Sequence, residues 1–456
     1  MGNILDLIRR IISMADFSFK YGDGHMDFSF PDEDIIKVIE PAHVEVPEGT
    51  EEEKIAEAIN NPIGTGKLEE IIKPTDTVCI LVPDMTRQWG RPAQIMSVLV
   101  PMLEKIGVKD ENMLIVSAVG THKKQTPEEH ALIVGQDIYD RIKMVDHDCD
   151  SNLQLVGTSF RGNEIWVNKT VMGYDKKIIV GSTVFHFLAG FGGSRKYVLP
   201  GIAGRDTIMS NHSQYFAEGG VGSGQNPLVA PGRYEDNPIN REMFEAAEFA
   251  GIDFNITGVI GPDKKIAFCY AGEIHKSHEA AVEKCRMFDG VMVDEPAEMV
   301  IASGMGFPKD INLYQTAAKP MNNAVGLLKK DPNSVMIVAS ECREGVGSAD
   351  TDRMLHDFDN AHDREVYTRE NYTIGLNVAY FFTQYAEDFH VILVSSLDSD
   401  LFKKTKVHTA KDITEAIELA KKLTGKDHFK TYIMPYAAST CGTVKHLYIK
   451  HNKQTS

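Results

Sequence analysis

The chain has no run of about eighteen apolar residues, so nothing in it reads as a membrane-spanning helix. It has no CxxC pair either. Its six cysteines, Cys79, Cys149, Cys269, Cys285, Cys342 and Cys441, lie far apart, which excludes a zinc ribbon or disulfide framework and leaves the buried, reduced thiols of a cytoplasmic protein. Positive charge is short as well: 48 Lys and Arg against 65 Asp and Glu give a net charge of −17 with no basic block, which argues against a nucleic-acid partner. No complete Gly-x-Gly-x-x-Gly fingerprint is present. The nearest stretch, GMGFP at 304–308, lacks the third glycine and puts a proline where the helix should start, so it reads as a bend before a helix. Internal repeats and low-complexity tracts are absent. The N-terminal stretch MGNILDLIRRIISMADF has no uninterrupted apolar core for a signal peptide, because Arg9 and Arg10 break it and no small-residue cleavage site follows. Ile4, Leu5, Ile8, Ile11 and Ile12 instead share one helical face, which suits packing or an oligomer contact.

With 456 residues the chain is long enough for two domains, each with its own core. Met26 to Phe30 alternates like a strand. Thr50 is placed to cap a helix to Asn60 with Glu51, Glu52 and Glu53 in its first turn. Val78 to Val82, Met113 to Val119 and Lys176 to Val180 are near-continuous apolar runs of the buried parallel-strand type. Between the first two, a stripe from Ile95 to Ile106 reads as a helix that Pro101 should kink. Thr126 to Glu129 opens another helix with a capping box and proline at the first position. Met243 to Phe249 reads as helix, Ile256 to Ile260 as strand, Glu279 to Met287 as helix, and Gly290 to Asp294 as the crossover into a second unit. There, strands at Met299 to Ala302, Val335 to Ala339 and Val391 to Ser395 alternate with helices near Gln315 to Lys329 and Asp412 to Leu423. The expected fold is α/β, with two α/β domains, mostly parallel sheets and the active site in the cleft between them. The expected limits are 1–288 and 289–430, with 431–456 a segment that could return to the first domain.

Polar side chains collect where these strands end. Val78 to Val82 runs directly into PDMTR, with Asp84, Thr86 and Arg87; the next strand ends in Gly120, Thr121 and His122. In open α/β sheets the carboxyl ends of strands line the ligand crevice, so the two ends point to one shared site. The third strand leads into Val184 to Tyr215, VFHFLAGFGGSRKYVLPGIAGRDTIMSNHSQY, a glycine-rich loop carrying His186, Lys196 and His212. Glycines at 190, 192 and 193 suit a backbone that turns sharply or lets a ligand approach closely. A lysine in such backbone can bind phosphate or attack a carbonyl, and each histidine can act as acid, base or metal ligand.

FLAGFGGSRKYVLPG followed by NHS, together with PDMTR, GTH and DINLYQ at 310–315 in the same order, resembles the nickel-dependent lactate racemase family over about Phe19 to Gly347. The resemblance implies a racemase or epimerase that inverts the C2 centre of a 2-hydroxy acid by reversible hydride transfer. It implies a nickel pincer nucleotide covalently attached to Lys196, with His212 as the metal ligand and His122 and His186 as the acid/base pair. Asp84, Thr86, Gly193, Ser194, Tyr314 and Gln315 match positions near the cofactor. Arg87, Trp89 and Lys319 fall on the substrate side, Arg87 as the guanidinium that clamps a carboxylate through two parallel hydrogen bonds. Asp84 and Gln315 equally suit helix caps. The partners implied are a small 2-hydroxy acid and cofactor-synthesis proteins, with neither nucleic acid nor membrane.

Three departures fall near the substrate. Gln88, Trp89, Gly90, Arg91 and Pro92 replace the usual Pro-Thr-Pro after the DxTR motif, and the loop reads GGSRK rather than SGGRK. Lys319 stands five residues beyond Tyr314 instead of four, a shift that turns a side chain by about 100° on an α-helix. They point to a 2-hydroxy acid other than lactate. Two other readings are a pyridine-nucleotide 2-hydroxy acid oxidoreductase, disfavoured by the missing glycine fingerprint, and a non-catalytic ligand-binding homologue, disfavoured by the presence of Lys196, His122, His186 and His212 together.

Overall fold

The computed structural model describes residues 13–42 and 44–444. These form two compact units, one of residues 44–215 and 226–288, the other of 13–42, 216–225 and 289–444. The amphipathic N-terminal helix expected from Ile4 to Ile12 lies outside the described residues.

The chain begins with the second unit. Strands β1 (Met14–Tyr21) and β2 (Gly24–Pro31) form an antiparallel hairpin, and β3 (Ile35–Val38) follows. Phe19, Phe28 and Phe30 are buried in one core with Met299, Ile301, Ile337, Ile392 and Ile433, which ties this hairpin to residues nearly 300 positions away.

The first unit then builds a six-stranded sheet. Its strands are β4 (Val78–Val82), β5 (Met113–Ser117), β6 (Met144–Asp146), β9 (Lys176–Ser182), β12 (Phe254–Ile260) and β13 (Ile266–Gly272), in the order β13-β12-β9-β4-β5-β6. All neighbours run parallel except β12 and β13. Two hairpins stand apart from this sheet: β7 (Leu153–Thr158) with β8 (Glu164–Asn168), and the short β10 (Phe185–His186) with β11 (Gly190–Phe191). Every residue of β4 and β5 is buried, as their unbroken apolar sequences require. Ile95, Met96, Leu99 and Leu103 of the helix Pro92–Ile106 pack on them, with Pro101 inside the helix.

The second unit's sheet has the order β18-β17-β16-β15-β19-β3, all parallel: β15 (Met299–Ser303), β16 (Val335–Ala339), β17 (His390–Val394), β18 (His408–Ala410) and β19 (Thr431–Met434), closed by β3. Beside it, β14 (Gly290–Val293) pairs with β20 (Cys441–Val444). This corrects two expectations. Residues 431–444 do not return to the first unit: β19 is hydrogen-bonded between β15 and β3, and β20 pairs with β14. Residues 13–42 and 216–225 likewise leave the first unit for the second. Parallel pairing at such sequence distances leaves no local signature. The GVMVD stretch stands at the expected crossover, where the chain passes into the second unit at Asp289, and its first four residues form β14.

Thr50 caps the helix Glu51–Asn60 reciprocally: its Oγ1 accepts from Glu53 N at 3.2 Å, and its own N–H donates to Glu53 Oε2 at 2.8 Å. Thr50→Ala is expected to cost about 1 kcal/mol, read as a lower urea midpoint at unchanged slope. An unchanged midpoint would show that the box contributes nothing.

Candidate active site

Strand order in the first sheet reverses at β4: β5 and β6 lie to one side, β9 and β12 to the other. At such a switch point the loops leaving neighbouring strands diverge and open a crevice beyond the carboxyl ends. Three segments from the sequence analysis leave the sheet here, PDMTR from β4, GTH after β5, and the glycine-rich loop after β9.

Asp84 ties the first two together. It caps the 3-10 turn Met85–Gly90 by accepting from Thr86 N at 2.8 Å, and its other oxygen, Oδ2, lies 2.7 Å from His122 Nδ1. Thr86 Oγ1 donates to Oδ1, and Arg87 Nη1 approaches both oxygens at 3.3 and 3.2 Å and also reaches Thr86 Oγ1. Burial of Asp84, 4% exposed, works against its charge, but the His122 hydrogen bond and the Arg87 charge win and hold its carboxyl well below the usual range. An ionised Asp84 can only accept, so His122 donates Nδ1–H to it and, as a neutral ring, carries its lone pair on Nε2. Arg87 engages Asp84 through Nη1 alone, which leaves the Nε–Nη2 edge for a carboxylate. Gln125, which sequence reasoning passed over, joins the ends of three strands: Oε1 accepts from Met85 N at 2.5 Å, Nε2 donates to Ser117 Oγ at 2.6 Å, and its N–H reaches Asp146 at 2.8 Å.

The glycine-rich loop is built on Arg195, also unmarked in the sequence reading. Its guanidinium is fully buried and faces no carboxylate. Nε donates to Asn240 Oδ1 at 2.7 Å, Nη2 to the carbonyls of Ala189 (3.2 Å) and Phe191 (2.8 Å), and Nη1 to those of Gly192 (3.3 Å) and Gly193 (3.2 Å) and to His278 Nε2. His278 must therefore carry its proton on Nδ1, 3.2 Å from Thr183 Oγ1. Burial pushes the Arg195 guanidinium down to about 10, still charged at neutral pH. The loop's tight path demands glycine: at Gly193, with φ of 85°, a Cβ would stand 2.6 Å from Ser182 O, and at Gly190, with φ of 72°, 1.8 Å from Arg233 O.

This loop brings Lys196 Nζ to 3.1 Å from His186 Nε2. Lys196 is 9% exposed, and burial, then Arg87, then Arg195 press its amine well below the ordinary lysine value. His186 is likewise driven far down, by burial first and then by Lys196, Arg87 and His212. His212 ends the helix Arg205–His212 with Nδ1 3.0 Å from Ile208 O, and burial and Lys196 lower it to about 3. That helix end is braced by Glu242, fully buried, which accepts from Asn211 Nδ2 at 2.8 Å and Ser159 Oγ at 2.6 Å. Ser194 sits at φ of 49° with its Oγ buried and without a hydrogen-bond partner. Trp89 is 42% exposed on the 3-10 turn after β4.

Tyr314, Gln315 and Lys319 belong to the second unit. Asn312, not Gln315, caps their helix, accepting from Gln315 N at 3.0 Å. The extra residue between Tyr314 and Lys319 coincides with a π-helical stretch, Ala317–Met321, flanked by α-helix on both sides. Its wider turn absorbs part of the rotation that an added residue imposes on an α-helix. Among the described residues no group of three or more His, Cys, Asp or Glu is placed to hold a metal ion, and no helix is long and apolar enough to cross a membrane.

A switch point that gathers an aspartate-paired histidine, an arginine and a lysine–histidine pair has the form of an α/β enzyme site. Residues 21–224 match the lactate racemase N-terminal domain and residues 292–440 the lactate racemase C-terminal domain. The chain is 30% identical over 436 residues to the lactate racemase of Thermoanaerobacterium thermosaccharolyticum, covering 93% of this chain and 99% of that protein. It is 31% identical over 378 residues to that of Lactiplantibacillus plantarum, covering 81% and 86%. The structure of the first racemase's apoprotein superposes with a TM-score of 0.82 at 28% identity, over 94% of this chain and all of that one. A Thermotoga maritima protein shares the fold at TM-score 0.60 and 19% identity, over 87% of this chain and all of that one. The chain belongs to the lactate racemase family.

The buried histidines set a pH dependence. His186, His212 and His278 are all lowered by burial in the folded chain, whereas in the unfolded chain they titrate near pH 6.5. Below that value the unfolded state binds more protons, so stability falls as pH falls, by up to about 1.4 kcal/mol per pH unit for each group until its folded value is reached. The melting temperature should drop steadily from pH 7 to pH 5, and His278→Gln should flatten the slope. A pH-independent melting temperature, or an unchanged slope in the variant, contradicts this.

Proposed function

We propose that this chain is a racemase or epimerase that inverts the C2 centre of a 2-hydroxy acid, with His122 and His186 as the acid/base pair. The observation that carries the reading is the pairing of two histidines, on segments leaving β5 and β9 at either side of β4, with Arg87 at the end of β4 itself. The C2 hydrogen of a 2-hydroxy acid is poorly acidic because the carboxylate already carries charge, so it is better removed as hydride. A nickel pincer nucleotide, attached through Lys196 with His212 on the metal, would supply the hydride acceptor that no protein side chain provides.

The residues present fit such a group. Lys196 is buried in a cradle whose backbone only glycine allows at 193, and the orphaned Ser194 Oγ beside it awaits a polar partner. The Ile208 carbonyl occupies His212 Nδ1, which makes Nε2 the nitrogen for a metal and fixes the ring, while other donors would come from the bound group. Asp84, Thr86 and Gly193 are the further candidates for holding it within the first unit.

Arg87 would hold the substrate carboxylate and so orient C2. His122, with Nδ1–H committed to Asp84, would accept the hydroxyl proton at Nε2 and return it. The second histidine serves the opposite configuration. Trp89 and the altered residues after Arg87 favour an acid larger than lactate. The wide spacing and burial of the cysteines suit the reducing cytoplasm.

Protein made in cells able to synthesise the cofactor should carry a covalent mass adduct on Lys196 and about one nickel per chain, and Lys196→Arg should abolish the adduct. An unmodified, nickel-free chain from such cells defeats the reading. With a panel of chiral 2-hydroxy acids, larger acids should turn over faster than lactate; dominant activity on lactate contradicts the substrate assignment. Asp84→Asn should lower kcat by about 100-fold, and wild-type kcat would remove Asp84 from the mechanism.

A further inference from the structure

The hydrogen bonds around His186 decide where its proton sits. Two backbone N–H groups point at Nδ1, Leu188 at 3.1 Å and Ala189 at 3.2 Å. Both can only donate, so Nδ1 holds a lone pair and no proton. A neutral imidazole then carries its single N–H on Nε2. An imidazolium would set a third N–H against the other two, and burial disfavours it in the cofactor-free chain as well.

Nε2 lies 3.1 Å from Lys196 Nζ. A lysine ammonium has three donors and no acceptor, so against Nε2–H it would oppose N–H with N–H. The contact is a hydrogen bond only if Nζ contributes the lone pair. We infer that in the cofactor-free chain Lys196 is a neutral amine, held by a hydrogen bond from His186 Nε2–H and ready to attack an acyl carbon. The inference deepens the reading of Lys196 as the attachment point and rests on it for its purpose, though not for its geometry.

The surroundings agree. Burial first, and then the guanidiniums of Arg87 and Arg195, disfavour the ammonium at Nζ. Arg195 cannot give up its own charge at neutral pH, and its hydrogen bonds to the carbonyls of residues 189 and 191–193 fix the turn whose N–H groups set the His186 tautomer. One buried cation thus shapes the loop and adds to the burial and the Arg87 charge that disfavour an ammonium at its neighbour. A neutral amine needs no prior deprotonation.

The test uses the cofactor-free chain labelled with 15N-histidine and 15N,13C-lysine. At pH 7, His186 should show a protonated Nε2 and a bare Nδ1, and the Lys196 signal, identified by its loss in Lys196→Met, should be that of an amine. An ammonium signal titrating near pH 10, or a protonated Nδ1, overturns the inference whether or not reagents reach the site. His186→Phe keeps a ring but removes the donor, so the Lys196 midpoint should rise; an unchanged midpoint also overturns it.

Trace acetylation with acetic anhydride reads the same state chemically. The Nζ lone pair forms the N–C bond, the C–O bond breaks with its pair leaving on acetate, and the nitrogen loses one proton to solvent. From pH 9 to pH 7, surface lysines should slow about 100-fold and Lys196 less than about twofold; Lys196 slowing in step with the others contradicts the inference. A neutral Lys196 in a chain that takes up no nickel cofactor would leave this inference standing and remove the tether reading, and an ammonium Lys196 in a chain that loads normally would do the reverse.

Discussion

The first unit's candidate site depends on one buried charge. Placing a guanidinium where it is fully shielded and faces no carboxylate is costly, and it is tolerated because its five N–H donors all find acceptors. Those acceptors are chiefly carbonyls of the glycine-rich loop, so satisfying Arg195 turns residues 189–193 inward around it. With the carbonyls so directed, the N–H groups of Leu188 and Ala189 meet His186, and Lys196, next in sequence to Arg195, is carried to the same ring. His278 and Asn240 complete the arrangement from two different helices. The glycines are the steric condition for this path rather than its cause.

The second organising element is the ionised Asp84. One carboxylate caps a turn, orients His122 and positions Arg87, so the end of β4 delivers three polar groups in a fixed relation. The two devices have opposite sign. Around Lys196 burial, with the Arg87 and Arg195 cations, disfavours the charged amine, whereas at His122 an anion accepts the Nδ1 hydrogen bond. Two histidines with different electrostatic surroundings thus flank one strand end.

Much of this was legible in the chain. The buried runs at Val78, Met113 and Lys176 are parallel strands because uninterrupted apolar sequence has no other stable use at that length, and the capping boxes at Thr50 and Thr126 form as spelled. The strand-end rule put Asp84, Arg87 and His122 at one edge. Burial of Arg195 had only an indirect signal, an arginine inside an otherwise glycine-rich apolar stretch, and His278 had none, since its partners lie 83 and 95 residues away in sequence. The allocation of residues 13–42, 216–225 and 431–434 to the second unit rests on long-range pairing and shared burial, which local patterns do not encode. The π-helical stretch at Ala317–Met321 likewise follows from packing, with Pro320 unable to donate a backbone hydrogen bond at that point.

Amide hydrogen exchange in Arg195→Lys against the parent chain tests the central claim most directly. Lysine keeps the positive charge but lacks the planar fork, so residues 186–199 should lose protection by at least about tenfold, whereas β4 and β5 exchange as in the parent. Parent-like protection of residues 186–199 in the variant would mean that the guanidinium is not what holds the loop.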